Sequence, residues 1–348
     1  MAADSGLPIE EILATEPLAD AAGAIRLGES RQRQPLAGYR FGAGDRGVTL
    51  IAGCHADEPV GPAMLERLVA WLAARSPGDE LLRRYRWHVV PRANPDGDAR
   101  NRAWIERTVD LVDHAGAADR GYELASYLRS VVRELPGDDV EFGFPRSSDD
   151  GEARPENRAV AAFLADGAPL VLHGSFHGMG FAPGPWFLIE AAWADRSLVL
   201  RDSLRRSVAK LGYELFDPDR GGEKGFVRID AGFTTRPDSR AMAEHFERLG
   251  DPETAAKFRP SSMELVRSLG GDPFTFVSEM PLFLVPAPGP GERPGERLKL
   301  LLERPDELEA EIARLAVRPM PIRDQMRLQL RFLEESLRLI ETQRVDGV

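Results

Sequence analysis

A histidine and a glutamate stand three positions apart in GCHADEPVG (53–61), at the end of the apolar run GVTLIAGC (47–54). His55 and Glu58 in that turn can face one point, and an imidazole with a carboxylate suits a borderline ion such as zinc. Alone the pair is weak evidence, because a strand that gives way to a polar turn produces such spacings by chance. A hydrolytic zinc site needs a third protein ligand and an open position for water. LVLHGSFHGMG supplies two candidates, His173 and His177. Strand alternation puts His173 and Ser175 on one face and His177 at the exit, where the strand becomes a loop open to substrate. Gly178 and Gly180 beside it permit close backbone approach. His177 is therefore the preferred ligand, and His173 a buried or supporting residue.

Water activated in this way also needs a carboxylate base that is not itself a ligand. Glu279, in FTFVSEMP, follows an apolar stretch and precedes another, so it is expected to be partly buried, where a carboxylate without a task is costly. The plainer reading is an edge-strand acid facing solvent. A tetrahedral oxyanion needs a positive partner as well, and NPDGDARNRAW supplies Arg100 and Arg102. Most surface arginines are merely solvated, so only position can decide between them.

These residues must be carried by elements that bring distant segments together. GVTLIAGC reads as a buried strand, and PVGPAMLERLVAWLAARS as an amphipathic helix with Met64, Leu65, Leu68, Val69, Trp71 and Leu72 on its inner face. RYRWHVVPRAN is a second strand ending in the turn NPDG, PENRAVAAFLADG a helix closed by Gly167, and APLVLHGSF (168–176) a third strand. WFLIE, SLVLRDSLRRSVAKLGY and FTFVSEMPLFLV (274–285) continue the alternation. The pattern predicts an α/β fold: a mixed, largely parallel central sheet flanked by helices, with ligands outside the carboxyl ends of its strands. Residues 114–154 are polar, acidic and glycine-rich, with a helical piece YELASYLRSVVREL; they read as an insertion or long surface segment. We divide the chain into an amino-terminal segment 1–35, a main domain 36–304 and a helical segment 305–348; the proline-rich hinge VPAPGPGERPGER (285–297) closes the main body. The last helix carries Met326, Leu330, Leu333, Leu337 and Ile340 as a narrow seam. It is expected to pack on its own domain; a homodimer contact is the alternative.

The 348 residues carry a net charge of −11, which argues against a nucleic-acid backbone as the main partner. No apolar run approaches the roughly 18 residues needed to span a bilayer, and the amino terminus lacks the basic and apolar regions of a secretory signal. Cys54 is the single cysteine, so no internal disulfide forms, and a cytoplasmic protein is expected. Cys54 itself reads as a small buried hydrophobe. His88 reads as a strand residue that packs or hydrogen-bonds, His114 and His245 as surface residues, and Trp186 as a buried aromatic or a pocket wall.

The ordered set His-x-x-Glu, Asn-Pro-Asp-Gly with a following Arg, His and then Glu resembles the zinc metallocarboxypeptidase family, the carboxypeptidase A/B-like peptidases, over most of residues 47–285. The resemblance implies zinc held by His55, Glu58 and His177, Arg102 polarising the scissile carbonyl with Arg100 in reserve, and Glu279 as catalytic base. Arg154-Pro155-Glu156 is similar to the family's Glu-Pro-Glu helix start. Two departures stand out. Where the family has Val-Asp-Leu-Asn-Arg, gripping a terminal carboxylate, this chain has Val109-Asp110-Leu111-Val112-Asp113, and an acid there is expected to repel a carboxylate. AKFRPSSMELVRSLGGDP also lacks the tyrosine that digestive members place before the catalytic glutamate, with Phe258 or Arg259 as nearby substitutes. The expectation is a zinc-dependent hydrolase of peptide or other amide bonds in a peptide or small molecule. The alternatives are a deacylase or amidase of the aspartoacylase type and a non-catalytic metal-binding relative.

Overall fold

The apolar runs form strands, and their alternation decides which core each side chain enters. The computed structural model describes residues 6–19, 22–138, 140–218, 220–286 and 294–345. Its strands are β1 (Ile25–Glu29), β2 (Pro35–Phe41), β3 (Arg46–Ala52), β4 (Tyr85–Val90), β5 (Thr108–Val112), β6 (Ala118–Tyr122), β7 (Leu170–Ala182), β8 (Trp186–Ile189), β9 (Arg228–Asp230), β10 (Phe233–Thr235), β11 (Phe274–Leu284) and β12 (Arg318–Pro319). The main sheet runs β1-β2-β4-β3-β7-β11-β8-β10-β9, with β12 beside β11, while β5 and β6 form a separate hairpin. Its centre, β4-β3-β7-β11, is parallel, and antiparallel joints flank it at β2–β4 and β11–β8. The fold is thus mixed with a parallel centre, as the alternation predicts.

Parallel strands are buried on both faces, and β3 shows how. Val48, Leu50 and Ala52 join one core with Met64, Leu65 and Leu68 of the helix Val60–Ala73. Ile51 joins the other, with Val160, Phe163 and Leu164 of the helix Pro155–Ala165. The seam of the helix Ile322–Val345 is buried in the first core, Leu330 and Leu333 completely, so it is not available to a second copy. Each such leucine contributes about 2 kcal/mol relative to exposure. Ile9, Ile12 and Leu13 of the short helix Ile9–Ala14 enter the same core. The division drawn at residue 35 falls inside the β1–β2 hairpin, where Glu29 faces Pro35. Of the proline-rich hinge, residues 287–293 lie outside the described residues. Among the described residues no helix is long and apolar enough to cross a membrane.

The segment 114–154 departs from expectation. Its helix spans only Leu124–Ser130; Val131 is extended at φ −63°, ψ 128°, and the β-branched Val131-Val132 pair starts an irregular stretch. Val140, Glu141 and Phe144 are buried, so this stretch packs inward, while 114–118 and 146–149 are exposed as expected of a surface segment.

Candidate metal centre and cavity

After β3 the chain must turn sharply to enter the helix Val60–Ala73. Gly53 makes the turn at φ 68°, a conformation that costs other residues. The turn is closed by Glu58 N–H donating to His55 O at 3.2 Å. It is braced from the NPDG motif: Asn94 caps the helix Pro95–Ile105 by accepting from Gly97 N at 3.0 Å, and its amide donates to Cys54 O at 3.4 Å.

The sequence places His177 at a strand exit; the structure places it inside β7, which continues to Ala182. The opening arises differently. β3 pairs with β7 only as far as Ala52 opposite Phe176, and then turns away. His177 is the next residue, so it faces the space β3 has left. On its other side it lies opposite Glu279 of β11, and Glu279 lies opposite Trp186 of β8. Residues directly opposite on neighbouring strands share a face, so the three form one row across the sheet.

His55 Nδ1 lies 3.0 Å from Glu58 Oε1, His177 Nδ1 lies 3.0 Å from Glu58 Oε2, and the two Nδ1 atoms are 3.3 Å apart. Metal–ligand bonds of about 2.0–2.1 Å at tetrahedral angles give ligand–ligand edges of about 3.3 Å, so the two imidazole nitrogens, each with a different Glu58 oxygen beside it, are spaced as ligands of one zinc ion. His177 is oriented from behind: its Nε2 faces Ser175 Oγ at 2.7 Å and Glu141 Oε2 at 3.3 Å. A carboxylate behind a ligating imidazole fixes its tautomer and raises its basicity. Glu58 also accepts from Gly178 N at 3.1 Å, and a Cβ on Gly178 would come within 3.0 Å of Met280 O. Cys54, Glu141 and His177 form a second compact donor set, but all three are buried, whereas His55 opens to solvent. Only the first set leaves room for water and substrate.

Electrostatics point the same way. Burial opposes ionisation of Glu58, yet the charges and hydrogen bonds of His55 and His177 outweigh it and hold the carboxyl low. Burial also opposes charging of His177, but Glu141 and Glu58 overcome it and push the imidazole up. Glu279 is pushed well above the usual carboxylate range, by burial first and then by the charge of Glu58. Each shift follows from burial set against the charges of the same cluster.

The cluster forms one end of a cavity of about 330 Å³, lined by His55, His177 and Glu279 there and by Trp186, Phe226 and Phe258 farther out. Residues 16–182 match the family model for zinc carboxypeptidases. Over this part the chain is similar to the zinc carboxypeptidase family. The matched segment includes His55, Glu58 and His177, whereas Glu279 lies beyond it. No curated protein matches the chain. Among solved structures, a metallo-carboxypeptidase from Burkholderia cenocepacia is 15% identical, covering 92% of this chain and 66% of that one, with a TM-score of 0.49. Carboxypeptidase A from Helicoverpa armigera is 14% identical over 92% of this chain and 68% of its own, at 0.47. Bovine thrombin-activatable fibrinolysis inhibitor is 15% identical over 93% and 90%, at 0.46.

Arg102 does not join the cluster. Its side chain is 64% exposed on the helix Pro95–Ile105, with Asp98 at 3.9 Å, and it does not line the cavity. Arg100 is turned instead to Glu134. The helix explains both: its buried face is given to Asn101 and Trp104, so positions 100 and 102 point away. Asn101 holds the backbone of Val132, accepting from its N–H and donating to its carbonyl, both at 2.9 Å. That grip delivers Arg133, which lines the cavity 3.4 Å from Asp57 and 3.5 Å from Glu58. Arg133 was not singled out in the sequence because it sits in what reads as a helix end; the β-branched Val131-Val132 pair before it was the available signal. Glu141 was missed similarly. It is positioned by Asn157, whose amide donates to Val140 O at 2.7 Å from the start of the helix opened by Arg154-Pro155-Glu156.

The remaining candidates sort plainly. His173 is buried between Thr49 Oγ1 at 2.8 Å and Ser262 Oγ at 3.0 Å, away from the ligand triangle. Phe258 lines the cavity, while Arg259 pairs with Asp150. Asp113 closes the β5–β6 hairpin by accepting from Ala115 and Ala117 N, both at 2.9 Å, and does not line the cavity. The expected repulsion of a carboxylate by Asp113 therefore has no place in this site. His114 pairs with buried Asp324 at 2.8 Å. His88 packs on Phe163 with ring centroids 4.9 Å apart.

Proposed function

We propose that the chain is a zinc-dependent hydrolase of amide or peptide bonds, with zinc held by His55, Glu58 and His177. The observation that supports this best is the pair of Nδ1 atoms 3.3 Å apart, each 3.0 Å from an oxygen of Glu58, with Glu279 opposite His177 on the same cavity wall. Zinc, when bound, supplies Lewis acidity that polarises a carbonyl and acidifies water. The rest falls to the protein. Glu279, partly exposed to the cavity and with its carboxyl pushed up, accepts a proton from the attacking water and returns it to the leaving amine. Arg133, in place of the expected Arg102, presents its guanidinium to the developing oxyanion. Glu141 and Ser175 hold the His177 ring, and Gly178 N–H holds Glu58. The aromatic and methionine walls keep bulk water from the reacting atoms. The single cysteine accords with the cytoplasmic location we propose.

Glu279→Gln is the direct test. Turnover of a benzoylglycyl-peptide panel falls by about 10²–10⁴, while zinc measured by atomic absorption stays at the wild-type ratio. Retained turnover removes Glu279 from the mechanism.

A further inference from the structure

Beside the proposed ligand Glu58 stands a second buried carboxylate that takes no part in the ligand set. Asp57 is 4% exposed, yet it belongs to none of the compact donor sets among the described residues. The two neighbours differ in what they hold. Glu58 lies beside both Nδ1 atoms and accepts from Gly178 N–H. Among the described residues Asp57 has one ion-pair partner, Arg133, whose Nη1 faces Asp57 Oδ2 at 3.4 Å. A carboxylate taken out of water is costly unless a cation faces it.

Arg133 needs such a hold. Its side chain is 57% exposed, and fixing a long, flexible side chain costs rotamer entropy. Asn101 grips only the backbone, at Val132. The tip is left to two carboxylates, Asp57 and, at 3.5 Å, Glu58. With a dication on Glu58, that carboxylate has less charge to offer, and a guanidinium beside the ion is repelled, as like charges are. Of the two ion-pair partners only Asp57 is then free to hold it. Asp57 and Glu58 are also consecutive in a turn closed by Glu58 N–H on His55 O. Their Cα atoms are therefore only about 3.8 Å apart, and one turn sets the guanidinium against the ligands.

We propose that Asp57 is a positioning residue: it acts through Arg133, holding the guanidinium beside the metal ligands where an oxyanion develops. The oxyanion rests on the hydrolase reading above; the ion pair does not.

The place of the guanidinium can be read without turnover. Asp57→Leu keeps the shape of the side chain and removes its charge. In crystals of the zinc-loaded variant, the Arg133 guanidinium leaves its wild-type place; a guanidinium that stays overturns the proposal. On the benzoylglycyl-peptide panel, kcat of Asp57→Leu falls by about tenfold with KM within about twofold, a share of the about 10²–10³ that an oxyanion donor supplies. In the Arg133→Met background the same substitution changes kcat by less than about twofold, as a residue acting only through Arg133 requires. Losses that multiply overturn the proposal, because a merely structural role has its cost in either background. Bound zinc and the thermal midpoint are measured for every variant. If Asp57→Leu and the smaller Asp57→Ala both lose zinc, Asp57 supports the ligand turn itself and the proposal is overturned. A displaced guanidinium, in a protein whose wild type hydrolyses no compound of the panel, supports the positioning role and overturns the hydrolase reading instead.

Discussion

Two clusters in this molecule are built from the same residue types and have opposite states. Asp113, His114 and Asp324 bring their donor atoms as close together as His55, Glu58 and His177 do. Around Asp324, however, every demand is met: it accepts from His114 N at 3.1 Å, from the His114 ring at 2.8 Å and from Tyr213 Oη at 2.7 Å, and Arg327 lies 2.5 Å away. Arg327 also reaches Asp113 at 3.5 Å, so the cation of this cluster is a side chain of the protein. In the other cluster two imidazole nitrogens face each other at 3.3 Å, and the nearest arginine, Arg133, stands 3.5 Å from Glu58 with 57% of its side chain exposed. A cluster whose cation is a side chain of the protein is structure; one whose imidazoles and carboxylate open onto a cavity is a candidate site. Residue composition does not distinguish them, and the whereabouts of the counter-charge does.

The comparison can be broken most sharply by exchanging the clusters' fates. His177→Ala should abolish zinc retention, whereas Asp324→Ala should leave zinc content unchanged and cost about 3–5 kcal/mol of stability in urea unfolding. Zinc loss in Asp324→Ala would erase the distinction. Next in size, Arg133→Met should lower kcat by about 10²–10³, the usual cost of removing an oxyanion donor. Arg102→Met should change it by less than about twofold, as for an exposed arginine outside the site. The reverse result would restore Arg102 to the mechanism. The smallest effect is expected from a buried histidine outside both clusters. His173 is held at about 3 by burial and then by the charge of Arg236. The unfolded chain therefore takes up a proton below the ordinary histidine range, about 6.5, that the native chain refuses. Stability is full above that range and falls with pH, by about 2 kcal/mol at pH 5. Thermal midpoints from pH 7 to 5 should show a shallower decline in His173→Gln than in wild type.

How much of this was readable depended on whether the signal was local. β3 with its helix, and the long last helix, announce themselves by period and apolar run, because one face of each must be buried. His55 and Glu58 stand close together in one turn, and their pairing could be read. His177 could be read as a residue but not as a position: the end of β3, not the end of β7, exposes it. Arg133 and Glu141 lie on irregular segments without periodicity, and each is placed by one buried amide from a distant helix, Asn101 and Asn157. The same absence of local pattern hid the buried stretch around Val140, Glu141 and Phe144 within a segment that is otherwise largely exposed.

The sequence by itself determined the α/β alternation and the His-x-x-Glu turn, and it marked His177 and Glu279 as candidates to join that turn, because those features depend on residue type and near-neighbour spacing. Tertiary structure alone decided which arginine lines the cavity and what stands behind His177. Those depend on contacts between segments far apart in the chain, where a single hydrogen bond to backbone can aim a side chain that no local pattern marks.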